Sequence, residues 1–259
     1  MVHPTQFIKM LLVFSLLSYN AQAAEPLMPV KFTGHYDFAF SGIPFGQMDI
    51  SLDQTATNYQ ASSDVKTTGI ARMFVQHESH STSSGSGKDF RYDNAEYESR
   101  YTTRGKKKYA RISKKNGKIT SDKVEPLDNR AVRPAVPMTD KSAAVDPLTM
   151  SVAIRSEFAR ARKDGRNNFT LDFYDGRRLT RTNFTIGDER VLRISGQKIP
   201  VLTLSARRKL LAGYTASEMA RINPKEPDLM IYFSHDAKFV PVYLEVPVAF
   251  GVATATLRM

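Results

Sequence analysis

Alternation of apolar and polar residues, broken at short intervals by turn residues, is the feature that most restricts how this chain folds. From Phe32 to Phe40 every second residue is aromatic or glycine, and Met48, Ile50 and Leu52 repeat the pattern. Successive side chains of a β-strand point to opposite faces, so each set lies on one face. The intervening Gly42–Gly46 supplies the residues of a turn. These two segments therefore predict an antiparallel hairpin.

The same pattern recurs through most of the remaining chain. Asn116-Gly117 and Asp175-Gly176 are two-residue turn signals that favour hairpins. Gly69 is expected to break or bend a third strand, and the small polar run Ser79–Ser86 is typical of an edge strand or a loop. Phe90 and Tyr92, then Tyr97 and Tyr101, predict another pair of strands. Strands at this spacing predict a mainly β fold: a large curved antiparallel sheet, either an open barrel or sandwich-like, with one helix packed on it.

One segment has the signals of a helix. Asp146 can cap its first turn, Pro147 suits the first helical position, and the helix is predicted to extend to about Arg162. Four apolar residues form its predicted buried stripe: Met150, Ile154, Phe158 and Ala161. Three arginines are expected to face water: Arg155, Arg160 and Arg162. The proline-containing residues 122–145 before it predict a long surface connection, and burial of the stripe predicts that Ile154→Ala costs about 2–5 kcal/mol.

The first residues have the pattern of a secretory signal. The apolar run Met10–Tyr19 is about ten residues long, too short for a bilayer span of about 20, and the small-x-small pattern Ala21–Ala23 follows it. Residues 1–23 are therefore expected to be removed, so that the protein in the periplasm begins at Ala24. Residues 24–259 are expected to form a single β-rich domain, without a transmembrane segment.

Composition narrows the possible chemistry. The chain has no cysteine, which excludes disulfides, thiol catalysis and thiolate metal sites, and which fits a bacterial periplasm. Its formal charge of +11 favours anionic partners. For an exported protein these are lipid head groups or acidic glycans rather than nucleic acid. The alternative is that the charge serves solubility alone.

Five stretches, taken in order, carry a resemblance to a known family. They are the strand that ends in Gly42–Gly46, Thr67–Phe74, Val145–Leu148, Phe173–Arg177, and the final hairpin with Pro241 after Ser234–Lys238. With these the chain resembles the bacterial family called domain of unknown function 3108. The resemblance implies an exported, β-rich envelope protein and brings no catalytic residues. It also suggests a fold similar to that of periplasmic lipoprotein carriers, whose curved sheet wraps a helix and forms an apolar groove.

Motifs for catalysis or metal binding are weak. In His77-Glu-Ser-His80 the histidines are three residues apart in an extended segment and point to opposite faces, so no metal site is expected. His35 and His235 are expected to be solvated. Carboxylate pairs at Asp172 and Asp175, and at Glu96 and Glu98, stay open as hydrolase candidates, since a hydrolase needs a cleft and a set carboxylate separation that the sequence does not show. The sequence has no nucleophile elbow and no phosphate-binding loop, and no cofactor is expected.

The strongest charge signal is a basic cluster around one predicted hairpin. Its candidate binding residues are Arg104, Lys106, Lys107, Lys108, Arg111, Lys114 and Lys115. Interleaved tyrosines accompany them. One interpretation is contact with an anionic lipid or glycan, which predicts binding to anionic but not neutral vesicles. The other is a solvated hairpin whose lysines protect an edge strand from association.

The sequence therefore predicts a non-enzymatic periplasmic envelope protein that binds a lipid, an acyl chain or another anionic envelope ligand. A hydrolase acting on envelope lipid or glycan is the alternative. Seven apolar residues are candidates for the core or for the wall of a groove: Phe38, Phe40, Met48, Ile50, Phe173, Phe233 and Val242. The oligomeric state stays open.

Overall fold

A single antiparallel sheet of 13 strands dominates the computed structural model, which describes residues 27–73, 76–221, 228–248 and 251–259. The predicted signal and its cleavage site lie outside the described residues. The strands are β1 Val30–Phe40, β2 Ile43–Gln54, β3 Asn58–Thr67, β4 His77–Lys88, β5 Arg91–Thr103, β6 Lys106–Lys115, β7 Lys118–Glu125, β8 Asn168–Tyr174, β9 Leu179–Ile194, β10 Gln197–Ala212, β11 Leu229–Ser234, β12 Pro241–Val248 and β13 Gly251–Leu257.

The order of strands explains the shape of the sheet. Neighbours in sequence pair with each other from β1 to β7 and from β8 to β13, and β13 returns to pair with β1, where Tyr36 lies opposite Leu257. The sheet therefore has the order β7-β6-β5-β4-β3-β2-β1-β13-β12-β11-β10-β9-β8, with edges at β7 and β8. The predicted mainly β, curved antiparallel fold is confirmed, in its open-barrel rather than its sandwich form.

Two predictions about strands were wrong in detail. Ser79–Ser86 belongs to β4, which pairs with both β3 and β5 and is not at an edge. Its small residues have a packing reason: a Cβ on Gly85 would lie 2.4 Å from the ring of Tyr59. The two strands expected between Phe90 and Tyr101 are one strand, β5. Turn signals were more reliable, since Gly69 has a φ of +60° and begins a 3₁₀ helix, Gly69–Met73.

The described residues include three α-helices beside the sheet: α1 Met138–Lys141, α2 Pro147–Lys163 and α3 Ala216–Ala220. Helix α2 is the predicted one. The Asp146 carboxylate accepts hydrogen bonds from the backbone N–H groups of Leu148 and Thr149, at 3.0 and 2.8 Å. The Asp146 side chain also reaches Ser83 of β4 at 3.3 Å, and burial raises its pKa. The helix cap is thus part of the interior.

Helix α2 fills the concave face of the sheet. Val152 and Phe158 are fully buried, and Phe158 stacks on Phe233 with ring centroids 5.2 Å apart. Met150 and Ile154 of the predicted stripe are only partly buried. The buried surface extends around more of the helix than a single stripe, because strands contact it from several sides.

Arg155 was predicted to face water, but it is 3% exposed. Its guanidinium donates to Gln54 Oε1 at 3.0 Å and to the backbone carbonyls of Met28 and Lys238, each at 2.5 Å. Burial lowers its pKa to about 10, which still leaves it charged at neutral pH. The carbonyl dipoles stabilise the guanidinium in place of a carboxylate partner. The same hydrogen bonds connect α2 to the β11–β12 turn.

The gap between edge strands β7 and β8 is bridged by the chain that leads into α2. Val145 donates to Asp172 O and accepts from Tyr174 N, both at 2.9 Å, on the β8 side. On the β7 side, Asp122 accepts hydrogen bonds from the Tyr174 hydroxyl at 2.6 Å and from Lys141 at 3.0 Å. Side chains and one short bridge therefore close this seam where a strand ladder is missing.

Candidate functional site

A cleft of about 830 Å³ lies on the outer face of the sheet, across β2 to β7. We call it the outer cleft. Most of its wall consists of side chains that point away from α2, because inward and outward residues alternate along each strand. Its charged and aromatic lining residues are Asp49, Asp64, Lys66, Glu78, His80, Arg100, Tyr101, Lys107, Lys108, Tyr109, Lys123 and Glu125.

Strand register arranges these residues in two transverse rows. In the first row each residue lies opposite the next on the adjacent strand: Asp49, Asp64, His80, Arg100, Tyr109 and Glu125. The second row, two residues nearer the β5–β6 turn, contains Gln47, Lys66, Glu78, Thr102 and Lys107. Residues directly opposite on an antiparallel pair are about 4.5–5.5 Å apart, so each row forms a continuous polar surface.

Each of the four acidic residues in the outer cleft has a basic partner. Asp64 lies 2.7 Å from His80 Nδ1, and Glu125 lies 2.8 Å from Lys123. Outside the lining, His35 Nδ1 is 2.5 Å from Asp49, and Arg72 is 3.7 Å from Glu78. Two of the acids, Glu78 and Glu125, are therefore paired with charged side chains, and the other two, Asp49 and Asp64, each contact a histidine ring.

Two lysines on the outer face of this cleft differ from the acids in this respect. Among the described residues, no carboxylate lies within salt-bridge distance of Lys66 or Lys107. Lys108 also borders the cleft, but it alternates with Lys107 and points to the inner face, in phase with Ala110 and Ile112. An ammonium group on an exposed face attracts anions most strongly when no protein carboxylate competes for it. The cleft thus offers positive charge to a ligand although its acids and bases are similar in number.

Tyr109 gives the outer face of the cleft an aromatic component. The Arg100 guanidinium lies 5.4 Å from its ring centroid, and its hydroxyl donates to Glu98 at 3.1 Å. Cation–π contact and this hydrogen bond hold the ring beside the positive charge. The second tyrosine that borders the cleft, Tyr101, points to the inner face, where Lys108 Nζ lies 5.6 Å from its ring centroid. An aromatic ring next to polar groups suits the flat apolar face and hydroxyls of a sugar.

The structure separates the seven predicted basic residues. Lys107 and Lys108 line the outer cleft, and Arg104 and Lys106 lie beside it at the β5–β6 turn. The other three are elsewhere: Arg111 in a neighbouring cleft, Lys114 and Lys115 toward the other end of β6. Nine residue steps of about 3.3 Å place Lys115 about 30 Å from Lys106.

Lys114 and Arg111 show why the cluster does not act as a unit. Lys114 points to the inner face, where burial lowers its pKa and the nearby charges of Asp93 and Asp146 partly offset that effect. Arg111 lies 3.5 Å from Glu96. Alternation along a strand sends neighbouring lysines to opposite faces, so a linear run of positive charge becomes two surfaces.

The histidines and carboxylates singled out in the sequence make side-chain contacts, and Glu96 and Glu98 line the neighbouring cleft with Arg111. His77 and His80 point to opposite faces, with His77 Nδ1 2.9 Å from the Thr103 hydroxyl. Within the described ranges no cluster of three histidine or acidic residues has the geometry of a metal site. Arg181 binds Asp172 through two contacts of 2.8 Å, and Asp175 accepts from the backbone N–H groups of its turn.

A comparison with protein families identifies the group to which these features belong. The family described as "Protein of unknown function (DUF3108)" matches residues 31–258. This chain belongs to that family. The DUF3108 match covers every strand of the sheet except the first residue of β1, so the resemblance seen in the sequence is confirmed. No curated protein matches the chain.

Solved structures give a second comparison with this DUF3108 protein. The crystal structure of a beta-barrel-like protein of the domain of unknown function DUF1849, from Brucella abortus, has a TM-score of 0.55 at 9% sequence identity. The match covers 90% of this chain and 97% of the other. At this identity the similarity concerns the fold alone, and it agrees with the curved, nearly closed sheet.

Sequence reasoning missed part of the outer cleft. Lys66, Gln47 and Lys123 were not among the candidates, because they lie on β3, β2 and β7, far in sequence from the lysine-rich turn. The alternation of each strand could have shown from the sequence that these side chains point outward. The strand-pairing register that brings them next to Lys107 could not be read from the sequence. Among the described residues, no helix is both long and apolar enough to cross a membrane.

Proposed function

We propose that this DUF3108 protein is an exported, non-enzymatic envelope protein that binds an acidic glycan in the outer cleft. The observation that carries the proposal is the pairing pattern: the cleft's acids have basic partners, while Lys66 and Lys107 have no acidic partner among the described residues. Charge-assisted hydrogen bonds from lysines to carboxylates are about twice as strong as neutral ones. Tyr109 adds a ring face on the same side of the sheet.

The interior favours this site over an acyl-binding groove. Phe233 and Val242, two of the candidate groove residues, are buried in packed clusters, and Phe158 of α2 stacks directly on Phe233. The concave side of the sheet is here filled at these residues by side chains of α2. An anionic ligand on the outer face requires no displacement of the helix.

The binding test uses an oligogalacturonate as the acidic probe and a neutral maltooligosaccharide of similar length. Isothermal titration should detect the acidic sugar only, with affinity that falls as salt is raised. Lys66→Gln combined with Lys107→Gln should weaken binding at least tenfold, since each lost charged contact is worth about 1.5 kcal/mol or more. The control is Lys115→Gln with Lys118→Gln, which removes equal charge at the opposite turn and should leave affinity unchanged. Equal loss in both variants would reject the cleft.

Hydrolysis is the second candidate, because one wall of the cleft carries a histidine and a carboxylate in contact. His80 Nδ1 lies 2.7 Å from Asp64 Oδ1, an arrangement that can orient an imidazole as a general base. Both side chains are more than half exposed, which favours an ordinary surface ion pair. Mass spectrometry of the oligogalacturonate after long incubation distinguishes the two functions. Cleavage that disappears in His80→Gln would replace the binding proposal.

A further inference from the structure

One end of the sheet combines exposed apolar residues with positive charge, outside the outer cleft. We call it the turn-end strip, and it consists of residues 41–45 between β1 and β2, 69–73 after β3, 103–107 between β5 and β6, and 251–252 at the start of β13. Three backbone hydrogen bonds hold these turns side by side: Ser41 N to Val252 O at 3.0 Å, Thr68 N to Phe45 O at 2.9 Å, and Arg104 N to Gln76 O at 2.9 Å.

The apolar part of the strip is unusually exposed. Met73 is 80% exposed, Ile43 60% and Val252 40%. Ile43 lies in the middle of the strip, because its turn is bonded to the β13 side through Ser41 and to the 3₁₀ helix side through Phe45. Single exposed apolar residues are common, whereas several on adjoining turns mark a surface that is covered in use.

Positive charge flanks these apolar residues. Arg72, Arg104, Lys106 and Lys107 lie within the strip segments, and among those residues there is no aspartate or glutamate. The nearest acid in the adjoining strand is Glu78, which is 3.7 Å from Arg72. An anionic bilayer surface has phosphates in its outer layer and acyl chains beneath them. Apolar side chains at the tip of a domain can contact the acyl chains, while the surrounding cations contact the phosphates.

We propose that the turn-end strip docks this protein on an anionic lipid bilayer. Ile43 and Met73 enter the interface below the head groups, and Arg104 and Lys106 contact the phosphates. This inference does not depend on glycan binding, because the strip and the outer cleft share only Lys107. Docking by this end leaves the outer face of the sheet, with its cleft, alongside the membrane and accessible.

The opposite end of the sheet supplies matched controls. Val191, near the β9–β10 turn, is 62% exposed, slightly more than Ile43 at 60%. Lys115 and Lys118 flank the β6–β7 turn, as Arg104 and Lys106 flank the β5–β6 turn. Each proposed contact can therefore be compared with the same kind of side chain at the end that is predicted to stay in water.

The first test exploits the absence of tryptophan from the chain. Ile43→Trp places a single fluorophore in the strip, and Val191→Trp places one at the other end. With vesicles of phosphatidylglycerol and phosphatidylethanolamine, the emission of Ile43→Trp should shift to the blue and that of Val191→Trp should not. Vesicles of phosphatidylcholine alone should leave both spectra unchanged. A blue shift at both positions, or at neither, would overturn the orientation that we propose.

The second test measures co-sedimentation with the same anionic vesicles. Arg104→Gln with Lys106→Gln should weaken binding by more than tenfold, at about fivefold per cation near the surface. Ile43→Ser with Met73→Ser should have a comparable effect that persists at high salt. The controls, Lys115→Gln with Lys118→Gln and Val191→Ser, should bind like wild type, with thermal unfolding checked for every variant.

Glycan binding in the outer cleft and membrane docking by the turn-end strip can be rejected independently of each other. Ile43→Ser with Met73→Ser should retain the oligogalacturonate affinity of wild type while it loses vesicle binding. If wild-type protein does not sediment with anionic vesicles, membrane docking is rejected whatever the glycan titration shows. If the strip variants sediment like wild type, the vesicles are held by another surface and the assignment of the strip is wrong.

Discussion

At the scale of single residues, Glu218 concentrates charge at the start of α3. Burial alone would raise its pKa, but hydrogen bonds from Arg133, the Thr215 amide and Arg178 hold that pKa well below its usual range. The Arg133 contact is 2.8 Å and the Arg178 Nε contact 3.0 Å. Glu218 therefore links α3 to β9 through Arg178 and to the segment that follows β7 through Arg133.

This network predicts a dependence of stability on pH. Because the pKa of Glu218 is lower in the folded protein than its unfolded value of about 4.5, its ionised form stabilises the fold above pH 4.5, and that contribution disappears as pH falls below it. Glu218→Gln keeps a side chain that can complete the capping box. The unfolding free energy of wild type should exceed that of Glu218→Gln at pH 7, and the difference should shrink at pH 3. A difference in unfolding free energy that is the same at pH 7 and pH 3 would contradict this account. The control is Glu96→Gln, at a more exposed ion pair, for which the difference from wild type should change less with pH.

At the scale of elements, Phe158 packs α2 against β11 and the β11–β12 turn. Phe158 is fully buried, stacked on Phe233 and in edge contact with Phe239 at 5.4 Å between centroids. Phe158→Ala should cost about 3–5 kcal/mol in urea unfolding. Ile154→Ala, from which the sequence predicted a similar loss, should cost less than about 2 kcal/mol because Ile154 is only partly buried. Equal costs at both positions would mean that the helix is buried uniformly.

At the scale of the whole molecule, the seam between β7 and β8 decides whether the sheet behaves as a closed barrel. The Tyr174 hydroxyl bonds both Asp122 of β7, at 2.6 Å, and Gly176 O, at 2.7 Å. Tyr174→Phe should therefore accelerate hydrogen exchange of amides in β7 and β8, such as those of Ile119 and Tyr174, while amides of β1 and β13 stay protected. Uniform acceleration across the sheet would show that the seam does not open separately.

Some features of this fold depend on interactions within a few residues, and the sequence predicted those well. The Asp146 cap, the Asn116-Gly117 turn and the break at Gly69 each rest on local hydrogen bonds or on backbone angles that only certain residues favour. Phe32 to Phe40 was assigned to one face because alternation is a property of the strand itself. None of these requires knowledge of which strands become neighbours.

Other features depend on residues that meet only when the sheet closes. Arg155 can be buried because the backbone carbonyls of Met28 and Lys238 accept hydrogen bonds from its guanidinium and so offset the cost of removing the charge from water. The apolar pattern of the helix does not reveal these partners. Lys66 and Lys107 share the outer cleft because β3 to β6 pair in one register. The sequence by itself determined the strands, their turns and the one long helix, since backbone sterics and local hydrogen bonds suffice for these. Only the tertiary structure decided which charges are neighbours, because strand register and curvature depend on packing of the whole sheet around α2.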